Sequence, residues 1–240
     1  MKTLKLPIFC LLAISAIACQ KKSTPLTVEP SSVILYADGK KQLTANPAEG
    51  VTYTSRDDFY AEVAADGLVT ANKVGETEIV ASSSNGTVRI PVKVMPAYTL
   101  YPELTPLINA PLSAMTSLLG ANYETSTSKN GETIYMYMDY NTYTAGIMAY
   151  FANGTCTGLC SIISTSYLTK FTNYLLERYA VAGMQNDYYF FLNHNKTVVI
   201  TMTLYNSKYM MAAYLPYTGT KSDQIDVDSI VERFRSMGLE

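Results

Sequence analysis

At 240 residues, with 48% hydrophobic and 16% charged side chains, the chain can bury one sizeable core or two modest ones. The formal net charge is −2 and the basic residues are scattered, which excludes a polyanion-binding face and with it a nucleic-acid partner. A single histidine, His194, excludes a multi-His metal site and leaves His-dependent catalysis one candidate; no cofactor-binding signature is present.

The chain opens with Lys2 and Lys5, followed by an apolar run from Leu6 to Ala18 and then Cys19. A positive n-region, a short h-region and small residues at its end are the parts of an export signal. The run is shorter than the ~20 residues that span a bilayer. The order Ala16-Ile17-Ala18-Cys19 resembles the lipobox of bacterial lipoproteins, Bacteroides-like ones among them. That resemblance implies a signal peptide over 1–18, a lipidated tether over 19–24 with Cys19 as the acylated residue, and membrane attachment outside the cytoplasm. An acyl chain contributes ~0.8 kcal/mol per buried methylene, so two or three chains suffice where one does not. An ordinary secretory signal with an incidental Cys19 is the alternative. Loss of Lys2 and Lys5 leaves 16 basic against 20 acidic residues, a net −4. Lys21 and Lys22 stand where surface-exposed relatives carry acids, which favours the periplasmic face of the outer membrane.

Residues 25–95 carry short strand-like runs divided by turn signals. The runs are 26–28, 32–36, 41–45, 51–55, 61–64, 68–71, 75–82 and 87–94; Ala37-Asp38-Gly39, Asn46-Pro47, Asp66-Gly67 and Asn85-Gly86 lie between them. Such spacing predicts an all-β sandwich or barrel. The stations Leu43-Thr44-Ala45, Val51 to Ser55, Ala64 to Ala71, Val74 to Ile79 and Val92-Lys93-Val94 resemble a bacterial immunoglobulin-like domain of group 2. Tyr53 stands where Trp is common. The resemblance implies an Ig-like spacer or adhesive unit with no catalytic role. Met95-Pro96-Ala97 reads as a boundary, because proline removes a ladder donor and restricts its predecessor.

Residues 97–240 read as an α+β unit with an antiparallel sheet. Helical spacing runs over 104–119 and again over 167–182, the latter through Leu168, Phe171, Leu175 and Tyr179. Strands are predicted at 123–126, 133–139 and 144–151, with a further short one over 156–164, then at 188–193, 197–205 and 209–214. An amphipathic helix over 225–237 carries Ile230, Val231 and Phe234 on one face. The pattern is a tandem helix-strand-strand-strand repeat. Its layout resembles β-lactamase-inhibitor-like folds in topology alone, so no function follows from it.

Of the 20 tyrosines, only Tyr36, Tyr53 and Tyr60 precede residue 97. Alternation in 134–139 makes Ile134, Met136 and Met138 the natural core set, with Tyr135 and Tyr137 facing outward. Tyr188, Tyr205 and Tyr209 extend such a surface, which suits a glycan or protein ligand. The alternative is that these rings pack against a helix or sheet. Cys156 and Cys160 are four apart, ~13 Å on a straight strand, too far for a disulfide unless Gly158 turns the chain; a local disulfide and two free buried thiols both stand open. No zinc partner pair is present. His194 falls in a hairpin turn without an orienting acid in sequence. Asp228-Ser229-Ile230 resembles a Bacteroides-like O-glycosylation acceptor at Ser229, but the pattern is short and a helix start with an acidic first turn is the favoured reading.

The reading is a lipid-anchored, non-catalytic cell-envelope protein, its Ig-like spacer presenting a tyrosine-rich unit to a glycan or protein ligand. One alternative is an envelope hydrolase using two of Asp139, Glu124, Glu132 and Asp187 in a shared pocket. Another is an inhibitor or assembly partner of an envelope protein.

Overall fold

A computed structural model of the protein describes residues 24–185, 187–219 and Glu232. Cys19, the expected signal segment and Ser229 lie outside the described residues. The chain is mostly β-sheet, and among the described residues no helix is long and apolar enough to cross a membrane.

Nine strands form the first part: β1 (Thr27–Glu29), β2 (Val33–Tyr36), β3 (Lys40–Gln42), β4 (Thr44–Asn46), β5 (Thr52–Ser55), β6 (Ala61–Val63), β7 (Leu68–Ala71), β8 (Gly75–Ser83) and β9 (Gly86–Met95). A four-stranded sheet, β2-β9-β8-β5, faces a three-stranded one, β3-β7-β6, and β1 pairs with β4. β2 runs parallel to β9, with Val33 opposite Val92. Alternate residues from these sheets, among them Val33, Ala61, Val69, Ile79, Ile90 and Val92, meet in one core, as period-2 side-chain alternation requires. The single run predicted over 41–45 is two strands, since β3 joins β7 while β4 joins β1. Leu43 lies between them, buried, with its N–H donated to Gly67 O at 3.0 Å.

The second part holds a 3-10 turn (Thr105–Leu107), α1 (Leu112–Leu119) and β10 (Glu124–Thr127), β11 (Thr133–Met138), β12 (Thr144–Ala152) and β13 (Thr155–Ser164). A second 3-10 turn (Thr165–Tyr167) leads into α2 (Leu168–Leu176) and β14 (Ala180–Gln185), β15 (Tyr188–Leu192), β16 (Val198–Leu204) and β17 (Tyr209–Pro216). All eight strands form one antiparallel sheet in the order β10-β11-β12-β13-β17-β16-β15-β14. It consists of two four-stranded meanders joined through their last strands, with Ser161 opposite Ala212. The repeat is therefore helix plus four strands. Residues 156–164, expected as a short strand, are part of the ten-residue central β13. The helix predicted to reach Ala182 ends at Leu176, and 180–185 is an edge strand. Tyr179 is buried and four residues after Leu175, so it mimics the helical period from outside the helix.

Both faces of this sheet are buried. On the first, α1, α2 and residues 98–108 pack over Tyr137, Ile147, Leu159, Ile200 and Tyr214. From α2, Phe171, Tyr174 and Leu175 are fully buried, each contributing on the order of 1.5–3 kcal/mol. On the second lie Tyr150, Cys160, Phe190, Val199, Met211 and Ala213.

Candidate functional site

The carboxyl end of α2 organises the junction between the two parts. Val74 donates its N–H to Glu177 O at 2.7 Å, and Lys73 Nζ donates to Leu176 O at 2.6 Å. These carbonyls belong to the last turn of a helix, where acceptors lack helical partners and the dipole favours a cation. Burial lowers the Lys73 pKa, with Asp38 opposing. The Glu177 carboxylate accepts the N–H groups of Ala97 (2.9 Å) and Tyr98 (3.1 Å), so the segment expected as a boundary is pinned. Arg178 pairs with Glu177, donates to Tyr98 O at 3.1 Å and lies 3.8 Å over the Tyr174 ring.

A second junction contact lies at the β15–β16 hairpin. His194 Nε2 stands 3.0 Å from Asp57 Oδ2, and its ring packs on Phe59 and Tyr60 at 4.6 and 5.1 Å between centroids. The turn position expected for His194 is correct, and its acid partner comes from the other part of the chain. No nucleophile is among these contacts. Sequence reasoning missed the junction residues. The visible signal was an adjacent opposite-charge pair, Glu177-Arg178, set inside the apolar stretch Leu175 to Tyr179.

Beneath the junction runs a buried polar chain. Tyr101 and Tyr214 share a hydroxyl contact at 2.8 Å, Ser161 Oγ donates to Tyr101 Oη at 3.1 Å, and Tyr179 donates to Glu103 Oε1 at 2.5 Å. Burial pushes the hydroxyls of Tyr101, Tyr174, Tyr179 and Tyr214 well up. These protonated phenols tie residues 101–103 to the sheet centre.

The tyrosines expected on one outer surface do not share one. Tyr137 is 4% exposed; it lies beneath α1, donating to Gly120 O at 2.8 Å. Burial, with Tyr123 and Tyr140 alongside, pushes its hydroxyl up to about 12. Tyr135 is half-buried against Tyr123 and Phe151 on the same face. Tyr188 packs on the opposite face with Ile134, while Met138 of the expected core set is 58% exposed. The alternation was read correctly but its inward side was not, because both faces of this sheet are covered. Tyr205 is 43% exposed at the end of β16.

Nor is the local disulfide formed: Cys156 and Cys160 are free and buried. A bulge explains why. Tyr150 pairs with Gly158 and Phe151 with Cys156, leaving Thr157 extra. One inserted residue reverses the alternation, so Cys156 joins the first face and Cys160 the second.

Two shallow pockets collect some of the predicted residues. One, of about 460 Å³, is lined by Glu132, Tyr135 and Phe151; Thr157 donates to Glu132 Oε1 at 2.6 Å. The other, of about 380 Å³, is lined by Asp139, Asn141, Ser164, Lys208 and Tyr209. Each holds one of the four candidate acids, so neither supplies the paired carboxylates of glycosidase chemistry. Glu124 and Asp187 line neither pocket. Among the described residues no group of three His, Cys, Asp or Glu side chains could hold a metal ion.

Residues 22–94 match the family model of the bacterial Ig-like domain (group 2), so this part of the chain is an Ig-like domain. No curated protein matches the chain. Among solved structures, an intimin mutant from EHEC O157:H7 is 16% identical, covering 55% of this chain and 90% of its own, with a TM-score of 0.26. Domains 5–6 of the S-layer protein SbsC are 16% identical, covering 83% of this chain and 86% of theirs, also at 0.26. Likeness at that level carries no argument about either part of the chain.

Proposed function

We propose that the mature protein is a lipid-anchored, non-catalytic envelope protein. Its Ig-like domain, residues 25–95, acts as a spacer that presents an α+β unit, residues 97–240, to a glycan or protein ligand outside the cytoplasm. Cys19 carries the acyl chains and 1–18 is removed, with the periplasmic face of the outer membrane favoured by Lys21 and Lys22. The observation that carries the reading is the junction. A spacer that presents a partner in one orientation needs that partner fixed to it, and four backbone or side-chain donors of 73–98 end on Leu176 and Glu177. The ligand surface is narrower than the tyrosine count suggested. Of the predicted tyrosines, Tyr209 and Tyr135 line pockets and Tyr205 is exposed; a planar apolar ring beside hydroxyl, amide and charged groups suits a sugar.

Mass spectrometry of the protein from native membranes tests the anchor. The expected first residue is an acylated Cys19, and Cys19→Ala is expected to leave the leader uncut. An unmodified Cys19 in a processed chain overturns the anchor. Glycan-array binding by the chain from residue 24 tests the ligand class, with Tyr209→Ala expected to lower any signal roughly tenfold, about 1.4 kcal/mol.

A further inference from the structure

The two outer edges of the eight-stranded sheet differ. β10 is polar throughout and carries Glu124, a charge that discourages strand addition. β14 has no charged residue, and every residue from Val181 to Gln185 is exposed. It ends the strand order, so among the described residues no strand lies against its outer N–H and C=O groups. The helix predicted over 225–237 lies outside those residues, Glu232 apart. A bulge gathers apolar side chains at this edge. Val181 pairs with Phe191 and Gly183 with Phe190, which leaves Ala182 extra. On a straight strand Val181 and Met184, three apart, point to opposite faces; the inserted residue brings both onto the first. Phe191 and Met202 mark that face. Met184 lies beside Tyr189, Tyr189 beside Met202, and Leu204 two residues further along β16. The layer over this face buries Phe191 and Met202 but leaves Val181, Met184, Tyr189 and Leu204 45–65% exposed. An apolar patch of neighbouring side chains on a sheet is the mark of an interaction surface.

We infer that β14 pairs antiparallel with β14 of a second copy of this chain, about a two-fold axis at Gly183. A straight partner strand loses register at Ala182, where β14 has one residue too many. A second β14 carries the same bulge and follows the same path. Counted past the bulge, Val181 faces Met184 of the second copy, Gly183 faces Gly183, and Ala180 faces Gln185. The axis therefore makes the Val181–Met184 contact twice on one face, as an isologous interface requires, and Tyr189 and Leu204 of each copy extend it. No like charges meet across the axis. A Cβ at Gly183 would find nothing within 4 Å, so the strands have room to approach there. One strand pair is a small interface, of the weak and reversible class. The inference is independent of the lipid anchor and of the ligand.

Sedimentation equilibrium on the chain from residue 24, which holds both packed parts, tests this at concentrations up to about 1 mM. The unaltered chain is expected to form a reversible dimer. Val181→Lys and Met184→Glu are each expected to weaken it at least about tenfold, because each sets a charge against an apolar side chain. An equimolar mixture of the two variants is expected to recover dimerisation, since the introduced ammonium of one then faces the introduced carboxylate of the other. A chain that stays monomeric throughout overturns the inference, and so does association that both single variants keep, which places the interface elsewhere. A mixture no stronger than its components rejects the register. Oligomers larger than two reject the two-fold axis in favour of head-to-tail pairing of β14 with β10. Hydrogen exchange on the unaltered chain reads the edge without substitution: amides of 181–185 are expected to slow at least about threefold between about 10 μM and about 1 mM. If the variants unfold, that measurement decides alone, and exchange over 181–185 that ignores concentration rejects the pairing.

Discussion

Glu177 and Ala97 stand 80 positions apart, yet Glu177 Oε2 accepts the Ala97 N–H at 2.9 Å. The Glu177 side chain is almost fully buried beside that of Arg178, so one carboxylate neutralises a guanidinium and holds the start of the linker. Glu177→Ala leaves two N–H groups without their acceptor and takes from the Arg178 guanidinium its buried carboxylate partner, although its bonds to Tyr98 O and Tyr174 O remain. Breaking a buried pair from one side costs about 3–5 kcal/mol. Urea unfolding is expected to show that loss, with a smaller one for Glu177→Gln, which keeps an amide acceptor. A midpoint unchanged in Glu177→Ala would mean that the linker is held elsewhere.

Tyr137 offers a test of face assignment. Were it a ligand-contacting surface ring, Tyr137→Ala would change stability by no more than about 0.5 kcal/mol. Under α1, with its hydroxyl on Gly120 O, the same substitution is expected to cost about 3–5 kcal/mol. Tyr137→Phe removes only the hydrogen bond and is expected to cost about 1 kcal/mol. The two variants measured by urea denaturation separate packing from polarity.

Alkaline pH acts on the same core. Burial pushes the Cys156 thiol up to about 12 from its ordinary 9.0, and the hydroxyls of Tyr174, Tyr179 and Tyr214 are raised well above theirs. Above pH 9 the unfolded chain therefore releases protons that the folded chain keeps, and stability falls as pH rises. Below about pH 8 these groups are protonated in both states and contribute no slope. The urea midpoint is expected to be insensitive to these groups from about pH 7 to 8, to begin to fall as the unfolded thiols ionise around pH 9, and to fall more steeply as the unfolded tyrosines follow around pH 10. Tyrosinate absorbance of the buried rings is expected to develop with unfolding rather than before it. Titration of all the rings in a still-folded chain would contradict their burial.

Local pattern carried much of this architecture. Asp66-Gly67 and the alternation through 87–94 mark strands whose partners are near in sequence, and the Ig-like stations follow from them. The second part was legible as strands and helices but not as a sheet. A helical period persisting to Tyr179 hid β14, and one extra residue at Thr157 reversed which face Cys156 occupies, something that spacing alone cannot register. Which side of an alternating strand is inward becomes ambiguous when both faces are covered, as Tyr137 and Ile134 show. The junction was the least legible of all, since Asp57 and His194, or Lys73 and Leu176, meet only after two separate sheets have formed.

Gly75 connects local backbone to that junction. Its φ is +151°, and a Cβ there would fall 2.3 Å from Tyr60 Cε1, far inside van der Waals contact. Tyr60 in turn packs against the His194 ring. Gly75→Ala must displace Tyr60, and the displacement is expected to reach the hairpin that carries His194. Strain of this kind costs on the order of 1–3 kcal/mol. Because His194 is the only histidine, one imidazole resonance reports the junction without assignment work. Phe59→Ala, which removes the other ring against His194, is expected to shift that resonance while leaving the Gly75 backbone intact. Gly75→Ala is expected to shift it as well and to lower the unfolding midpoint. An unmoved resonance in both variants would show that the two parts do not meet at His194 in solution, and the fixed spacer would have to rest on the contacts at Leu176 and Glu177.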